Sequence, residues 1–136
     1  MKIGLVSPYD YAYPGGVMAH IYHLSKGLQR RGHEIKIIAP LSGPPPDVSD
    51  KNFIPLGKSV PVPTGGSTAR ISLSVWLEPK IRKLLKEESF DVIHLHEPLA
   101  PIIPILILHL SNSLNIGTFH AFHGSSKTYW LSKYLL

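Results

Sequence analysis

Short apolar runs and one helical pattern alternate along the first forty residues. Residues 2–7 form an apolar run that Pro8 ends, which predicts a buried strand. Apolar residues then recur three and four positions apart, the spacing of one helix face: Val17, Ile21, Leu24 and Leu28. Gly32 marks the predicted helix end, and a second strand at 34–39 stops at Pro40. The pattern predicts a right-handed βαβ unit with parallel strands.

The remaining chain keeps alternating, with more interruptions. Residues 53–56 and 60–62 are strand-like pieces that contain prolines, which is typical of edge strands. The glycine-rich segment from Thr64 to Arg70 is predicted to be a connecting loop. Further on, helices are predicted at 77–88 and 101–111, and strands are predicted at 91–95 and 116–119. This alternation predicts an α/β fold, a Rossmann-like doubly wound parallel sheet.

Three segments directly follow predicted strands, and their placement carries the main functional inference. They are residues 8–16, 96–98 and 120–127. In doubly wound sheets, ligands bind beyond the carboxyl ends of the strands. We therefore expect the three segments to meet at one crevice.

Composition narrows the class of protein. The 136 residues suffice for one domain, and 43% hydrophobic with 17% charged residues suit a folded chain. The absence of cysteine excludes disulfides and thiolate metal sites. No apolar stretch reaches the roughly 20 residues that span a bilayer, so a cytoplasmic protein is predicted. The net charge of +5 suits an anionic partner, be it a phosphate, a nucleic acid or a membrane surface.

Gly15 and Gly16 stand at the start of the first predicted helix, directly after the first strand. Paired glycines let a ligand approach the backbone, and free N–H groups at a helix start attract anions. A plain tight turn explains the pair equally well. The spacing is not the GxGxxG fingerprint, and Ala39 and Pro40 stand where an acidic ribose ligand is expected. A nicotinamide cofactor is therefore disfavoured.

Histidines mark the ends of two later strands. His120 follows the last strand, and His123 lies three residues on. A histidine there can bind a phosphate or a sugar hydroxyl, or transfer a proton, although spacing alone favours a structural role. Strand alternation puts His94 and His96 on one face, and these two together with His120 and His123 could suggest a zinc site. Because no cysteine or nearby aspartate completes a ligand set, no metal site is predicted.

Basic residues suggest two further surfaces. Four of them lie in the predicted helix at 77–88, which Trp76 precedes: Lys80, Arg82, Lys83 and Lys86. Such a helix can lie on an anionic membrane, although a solvated outer face is the simpler interpretation. Arg70 is suited to a phosphate, whereas its segment can equally be a plain connector. Lys127 is, by itself, typical of a solvated charge.

Five motifs in register resemble the N-terminal domain of the retaining GT-B glycosyltransferases of family 4. They are Lys2–Val6, Tyr13–Val17, Leu28–Glu34, Phe90–Pro98 and Gly117–His120. Each motif is weak alone, but their order and spacing fit across nearly the whole chain. Within the family, Pro8-Tyr9, residues 60–63 and the segment with Ser67 and Arg70 most resemble the phosphatidylinositol mannosyltransferases.

The resemblance implies a role for each matching position. Gly15 and Gly16 would face the donor diphosphate, and His120 would be the active-site histidine beside the transferred sugar. Met18 departs from relatives with polyol acceptors, which often have a polar side chain there. The basic residues of helix 77–88 match a region used for membrane association. The acceptor would lie against four residues, Tyr9, Ser67, Arg70 and Lys127.

The implied activity is retaining transfer of a hexose, such as mannose, from a nucleotide-sugar such as GDP-mannose to a lipid or sugar acceptor. No cofactor, metal or nucleic-acid partner is expected. The alternative is a non-catalytic module that binds a phosphate or a membrane. Residues 1–136 are expected to form one truncated acceptor-side domain that lacks the C-terminal donor-binding domain and has little activity alone. An incomplete sheet would favour self-association. The resemblance to relatives with lipid acceptors implies a peripheral location at the inner face of the cell membrane.

Overall fold

The computed structural model describes residues 1–44, 51–64 and 66–120. Helices α1 to α3 are Gly16–Arg30, Glu78–Glu88 and Ile103–Leu110. A 3-10 turn, Val75–Leu77, leads into α2. Strands β1 to β7 are Lys2–Val6, Glu34–Ala39, Phe53–Pro55, Val60–Thr64, Ser67–Ile71, Val92–His96 and Leu114–Thr118. The predicted helices and strands are confirmed in kind and order, and only β5 was not predicted.

Five strands form one parallel sheet in the order β3-β2-β1-β6-β7. Every neighbouring pair in it is parallel, including β1 with β2 on one side and β1 with β6 on the other. The chain therefore winds outward in one direction from β1 and then outward in the other from β6. The loops after these two central strands diverge and leave a crevice between them. The predicted doubly wound, Rossmann-like parallel sheet is confirmed.

The sheet carries one apolar core on each face. The core under α1 contains Ile3, Leu5, Ile21, Ile35, Ile37 and Val92. The core under α2 and α3 contains Val6, Ile38, Ile81, Leu84, Ile93, Leu95, Ile103 and Ile107. Successive strand residues point to opposite faces, so His94 and His96 share the α1 face with Val92. The last two side chains of that face of β6 are thus imidazoles.

Helix α1 shows how closely the pattern anticipated the packing. Gly32 has φ +85° and its N–H donates to the carbonyl of Gln29 at 2.9 Å, which confirms the predicted helix end. The buried residues are Met18, Ile21 and Ser25, so the centre of the inward face lies one position beyond that predicted. The three other predicted residues are half-buried: Val17, Leu24 and Leu28.

The predicted loop from Thr64 to Arg70 is wrong, because Ser67–Ile71 is a strand. It pairs antiparallel with β4, from Thr64 opposite Ser67 to Val60 opposite Ile71. The two prolines of β4 lie two residues apart, so both missing N–H groups fall on the same edge and the other edge can pair. Gly66, at φ +93°, supplies part of the turn. The β4–β5 hairpin stands beside the main sheet.

Asp10 anchors the loop that follows β1. Its side chain is 1% exposed. The carboxylate accepts the N–H of Ala12 at 2.8 Å and the hydroxyl of Ser59 at 2.6 Å, and the Asp10 N–H donates to the carbonyl of Arg70 at 3.0 Å. Burial alone would raise the pKa of Asp10, but hydrogen bonds from Ser42, Ser59 and Ala12 outweigh burial and hold the pKa below its ordinary value.

An Asp10→Asn change should lower the free energy of unfolding by about 1–3 kcal/mol at neutral pH, because an amide places a donor against donors. A depressed folded-state pKa stabilises the protein above the ordinary aspartate pKa of about 3.9 and ceases to do so as pH falls through the folded value. The difference between wild type and variant in urea unfolding should therefore shrink below about pH 4.

Glu87→Gln is the control for this prediction. Glu87 is exposed and its carboxylate lies 3.7 Å from the Lys83 amine on the same helix face, so its loss should change stability by less than about 0.5 kcal/mol. If the loss of unfolding free energy in Asp10→Asn stayed constant as the pH fell below about 4, the stabilisation by a buried carboxylate would be contradicted.

Candidate functional site

A cleft of about 410 Å³ lies between the β1–α1 loop and the β4–β5 hairpin. The loop contributes Tyr9, Gly15 and Gly16, and the hairpin contributes Ser67 and Arg70. The structure thus brings together the two glycines predicted for the donor and three of the residues predicted for the acceptor. The second strand of this hairpin, β5, lies in the segment that the sequence pattern had suggested was a loop.

Gly15 and Gly16 are glycines that the fold itself does not require. Gly15 has extended backbone, at φ −171°, which any residue adopts. A Cβ on either glycine would meet no atom within 4 Å, whereas a Cβ on Gly57 would lie 2.8 Å from the Leu77 Cδ1. The start of α1 has no side-chain cap and no acidic residue in its first turn. These features leave space and backbone N–H groups for an anion at the positive end of the helix.

Arg70 supplies the positive charge of the cleft. Its guanidinium carbon lies 4.0 Å from the centre of the Tyr13 ring, which places the planar group against an aromatic face. Among the residues that the structure describes, no carboxylate pairs with it. A stacked guanidinium without an acidic partner is suited to an anionic group of a ligand. Tyr13 was not predicted, although an aromatic residue close before a glycine pair is a readable signal.

The apolar part of the cleft includes Met18. Its side chain is 7% exposed, so it packs under α1 and presents only an edge to the cleft. Tyr9 also lines the cleft. Burial, and to a lesser degree the negative charge of Glu97, raise the pKa of Tyr9, so its hydroxyl remains a hydrogen-bond donor at neutral pH.

Four histidines meet beside the cleft, and we call His20, His94, His96 and His120 the histidine cluster. The rings of His94 and His96 stack at 4.4 Å between centroids, which confirms that they share one strand face. The His96 Nδ1 lies 2.7 Å from the His120 Nε2, and His20 on α1 meets both rings edge-on at 5.5 and 5.1 Å. The predicted meeting is confirmed for the segments after β6 and β7, through His96 and His120. The third partner, His20, lies on α1 and not in the predicted segment 8–16.

Glu97 holds the backbone of His120 in place. The N–H of His120 donates to the Glu97 Oε1 at 2.6 Å, and the N–H of Glu97 donates to the carbonyl of Thr118 at 2.8 Å. Glu97 is 4% exposed and has φ +52°, an uncommon conformation for a residue with a side chain. Strain of this kind persists where the surroundings over-determine it, and it often accompanies a functional site.

Three imidazoles of the cluster, those of His94, His96 and His120, are neutral at physiological pH because their pKa values are lowered. Burial, followed by the neighbouring histidines, lowers the pKa of His96 to about 3. Burial and its neighbours His20 and His120 also lower the pKa of His94. Burial and His20 lower the pKa of His120, and Glu97 opposes them in part. Each of these rings therefore offers one lone pair and one N–H.

Sequence reasoning missed His20 and Glu97 and placed two residues where the structure describes nothing. Lys127 and His123 lie outside the described residues. His20 has a signal in retrospect, because it follows Gly16 by four positions and so projects from the same face of α1. Glu97 has none, since its buried carboxylate and positive φ depend on its neighbours in space.

The basic helix α2 forms a surface apart from the cleft. Arg82 pairs with Glu78 at 2.8 Å and Lys83 with Glu87 at 3.7 Å, while Lys80 donates to the carbonyl of Pro55 at 3.3 Å. Trp76, in the preceding 3-10 turn, is 87% exposed. Within the described residues, none of the helices has the length and apolar character needed to cross a bilayer.

Comparisons with known proteins agree with this architecture. A family model described as Glycosyltransferase Family 4 matches residues 14–136. The chain is 41% identical over 125 residues to a phosphatidyl-myo-inositol mannosyltransferase of Propionibacterium freudenreichii, covering 88% of this chain and 33% of that protein. Proteins of the same name from Mycobacterium leprae and Mycolicibacterium smegmatis are 36% and 39% identical over 121 residues, covering 88% of this chain and 32% and 31% of theirs.

The chain therefore spans about a third of the length of the curated relatives it matches. The family match extends from the glycine pair through all later elements of the sheet. Together with the doubly wound fold and the five motifs in register, it establishes that the chain belongs to Glycosyltransferase Family 4.

Proposed function

We propose that this chain forms the acceptor-side part of an enzyme that transfers a hexose, with mannose the foremost candidate, from a nucleotide-sugar to a phosphorylated lipid such as phosphatidylinositol. The observation that carries the proposal is the cleft in which Gly15 and Gly16 face Arg70. It offers one anion site at a helix start and a second at a guanidinium, as a diphosphate donor and a phosphate-bearing acceptor require. The names of the relatives support the choice of sugar and lipid.

The donor diphosphate would lie against the open start of α1. The free N–H groups and the helix dipole there stabilise negative charge as the phosphate leaves. This electrostatic assistance needs no metal. The contacts to the nucleotide would come from a C-terminal domain, so residues 1–136 alone would have negligible activity.

The acceptor phosphate would bind Arg70, whose stacking on Tyr13 fixes the plane of its guanidinium. Ser67, next to the turn, donates its hydroxyl to the carbonyl of Thr64 at 3.0 Å and would add a hydroxyl contact. Tyr9 would donate from the opposite wall. Met18 offers no hydrogen bond, so the acceptor's polar groups would be read by these three residues.

His120 would stand beside the transferred sugar. Its neutral ring can donate to a sugar hydroxyl or accept from one, and its backbone is fixed by Glu97. In retaining transfer the acceptor hydroxyl approaches the face that the leaving diphosphate occupies. An arrangement with donor site, acceptor site and histidine along one sheet edge suits that geometry.

Mannosyl transfer can be measured in a chimera that joins this chain to the remaining part of the Propionibacterium freudenreichii relative. With GDP-mannose and vesicles containing phosphatidylinositol, the chimera should form mannosylated lipid. Gly16→Val should lower kcat/KM by about 100-fold or more, because a side chain would fill the diphosphate site. Arg70→Ala should instead act mainly through the KM for the lipid, by about 10- to 100-fold.

Gly27→Ala is the matched control, because Gly27 lies on the same helix and its Cβ would meet nothing within 4 Å. It should leave transfer unchanged. A folded chimera that binds GDP-mannose but transfers to no lipid or sugar acceptor would overturn the proposed function. A Gly16→Val variant with normal kinetics would overturn the assignment of the donor site.

We further propose that α2 and the turn before it rest on an anionic membrane. Trp76 projects into solvent beside Val75, which is 60% exposed, and Leu73, which is 49% exposed. Solvent-facing apolar side chains next to Lys80 and Lys86 combine the two features of an interfacial helix. We call these five residues the apolar-basic patch. Membrane binding through this patch would bring the cleft near a lipid acceptor. The same patch would also serve the alternative function, a non-catalytic module that binds a membrane.

Vesicle flotation tests the patch on the chain itself. Trp76→Ser and the double variant Lys80→Glu with Lys86→Glu should each weaken binding to phosphatidylglycerol vesicles, the double variant by at least about tenfold, since each basic residue near an anionic surface contributes about 1 kcal/mol. Lys26→Glu with Arg30→Glu on α1 makes the same charge change elsewhere and should have a smaller effect. Equal losses in both double variants would indicate unspecific charge attraction instead.

A further inference from the structure

The histidine cluster brings three imidazoles from three different elements to one point. His20 comes from the second turn of α1, His96 from the end of β6, and His120 from the segment after β7. One ring nitrogen of each lies within 4.8 Å of those of the other two. Nitrogen atoms at such mutual distances surround a space in which one metal ion fits.

We propose that His20, His96 and His120 bind one transition-metal ion of the zinc class. Three imidazole nitrogens with an open fourth position are a ligand set that Zn²⁺ accepts in tetrahedral sites. The set contains no carboxylate or carbonyl oxygen, so it disfavours Mg²⁺ and Ca²⁺, which prefer oxygen ligands.

The distances fit such an ion after a small movement. With metal–nitrogen bonds of about 2.0–2.1 Å, two tetrahedral ligands stand about 3.3–3.4 Å apart. The His96 Nδ1 and the His120 Nε2 are 2.7 Å apart, in hydrogen-bond contact, so the ion would replace that hydrogen bond and move the two nitrogens roughly 0.6–0.7 Å further apart.

The surroundings hold His96 and leave His20 free to complete the site. His96 is 0% exposed, is stacked on His94, and has an Nε2 atom without a hydrogen-bond partner among the described residues. The His94 Nε2 in turn lies 2.7 Å from the Thr118 Oγ1. His20 is exposed on α1, so an ion can enter from solvent, and its ring can turn about its side-chain bonds.

The site was not predicted because its third ligand is remote in sequence. The pattern His94-x-His96 suggested two ligands on a strand, but His94 is engaged with Thr118 and the ligand that replaces it comes from a helix. No sequence spacing relates His20 to β6. Only the packing of α1 on this face of the sheet puts them together.

Metal binding can be measured on the full chain without a histidine tag. Co²⁺ titration should give a saturable visible absorption with one ion per chain, and Zn²⁺ should displace it. His20→Ala should weaken Zn²⁺ affinity at least about tenfold, as loss of even outer-shell support costs 10- to 100-fold. His23→Ala, an exposed histidine on the same helix, should leave affinity unchanged. His120→Ala should match His20→Ala, and thermal unfolding without metal should show that each variant is folded.

Three results would overturn the site. They are binding without a one-to-one end point, equal weakening by His20→Ala and His23→Ala, and loss of binding in His123→Ala with none in His20→Ala. Because the titration uses neither donor nor acceptor, its failure leaves the proposed sugar transfer untouched. Failure of transfer in the chimera likewise leaves the metal site standing.

Discussion

The pairing of β1 with parallel neighbours on both sides is the constraint on which the rest of the structure depends. β1 is hydrogen-bonded to β2 from Lys2 to Val6 and to β6 from Ile3 to Val6. A parallel neighbour on each side requires crossovers over opposite faces, which is why α1 covers one face and α2 and α3 cover the other. The loops after β1 and β6 then diverge at one sheet edge. Both the cleft and the histidine cluster lie at that edge.

A second constraint joins the small hairpin to this frame. Asp10 is a buried carboxylate that requires donors, and it finds them in the loop itself and in Ser59, which precedes β4. The Asp10 N–H donates a hydrogen bond to the carbonyl of Arg70, and Tyr9 forms an isolated β-bridge with Ile71 in β5. One loop therefore carries the glycine pair and also positions the hairpin with Arg70. The two walls of the cleft are coupled through two adjacent residues, Tyr9 and Asp10.

The histidine cluster shows how the α1 face changes character along β6. Val92 closes the apolar core, and the next two residues on that face are imidazoles that stack instead of packing against aliphatic side chains. Between His96 and His120, one ring nitrogen donates a hydrogen bond to the lone pair of the other at 2.7 Å. The proposed roles of His120, in sugar transfer and in metal binding, use the same ring nitrogens, so an ion bound at the three histidines would compete with any contact of His120 to a sugar.

Some features of this protein could be predicted from the sequence because they depend on local periodicity. The 3.6-residue pattern of α1, the alternation that unites His94 and His96, and the prolines that end β1 and β2 act through neighbours along the chain. Gly15, Gly16 and His120 were found because strand ends of a doubly wound sheet must share an edge. Arg70 was a phosphate candidate from its side chain alone, the family resemblance added Tyr9 and Ser67, and all three residues line the cleft.

Other features were decided only by tertiary structure, since they join residues far apart in the chain. β5 was predicted to be a loop because the glycines and serine before and at its start are typical of turns, whereas the pairing with β4 makes a strand directly after the turn. Glu97 and His20 acquire their importance from contacts across the sheet edge, and no sequence spacing relates either residue to the partners that it contacts there. The sequence by itself determined the order of the helices and strands and the sheet edge at which the candidate functional residues lie. Packing decided which side chains meet there, because burial and hydrogen bonding depend on distance in space and not on separation along the chain.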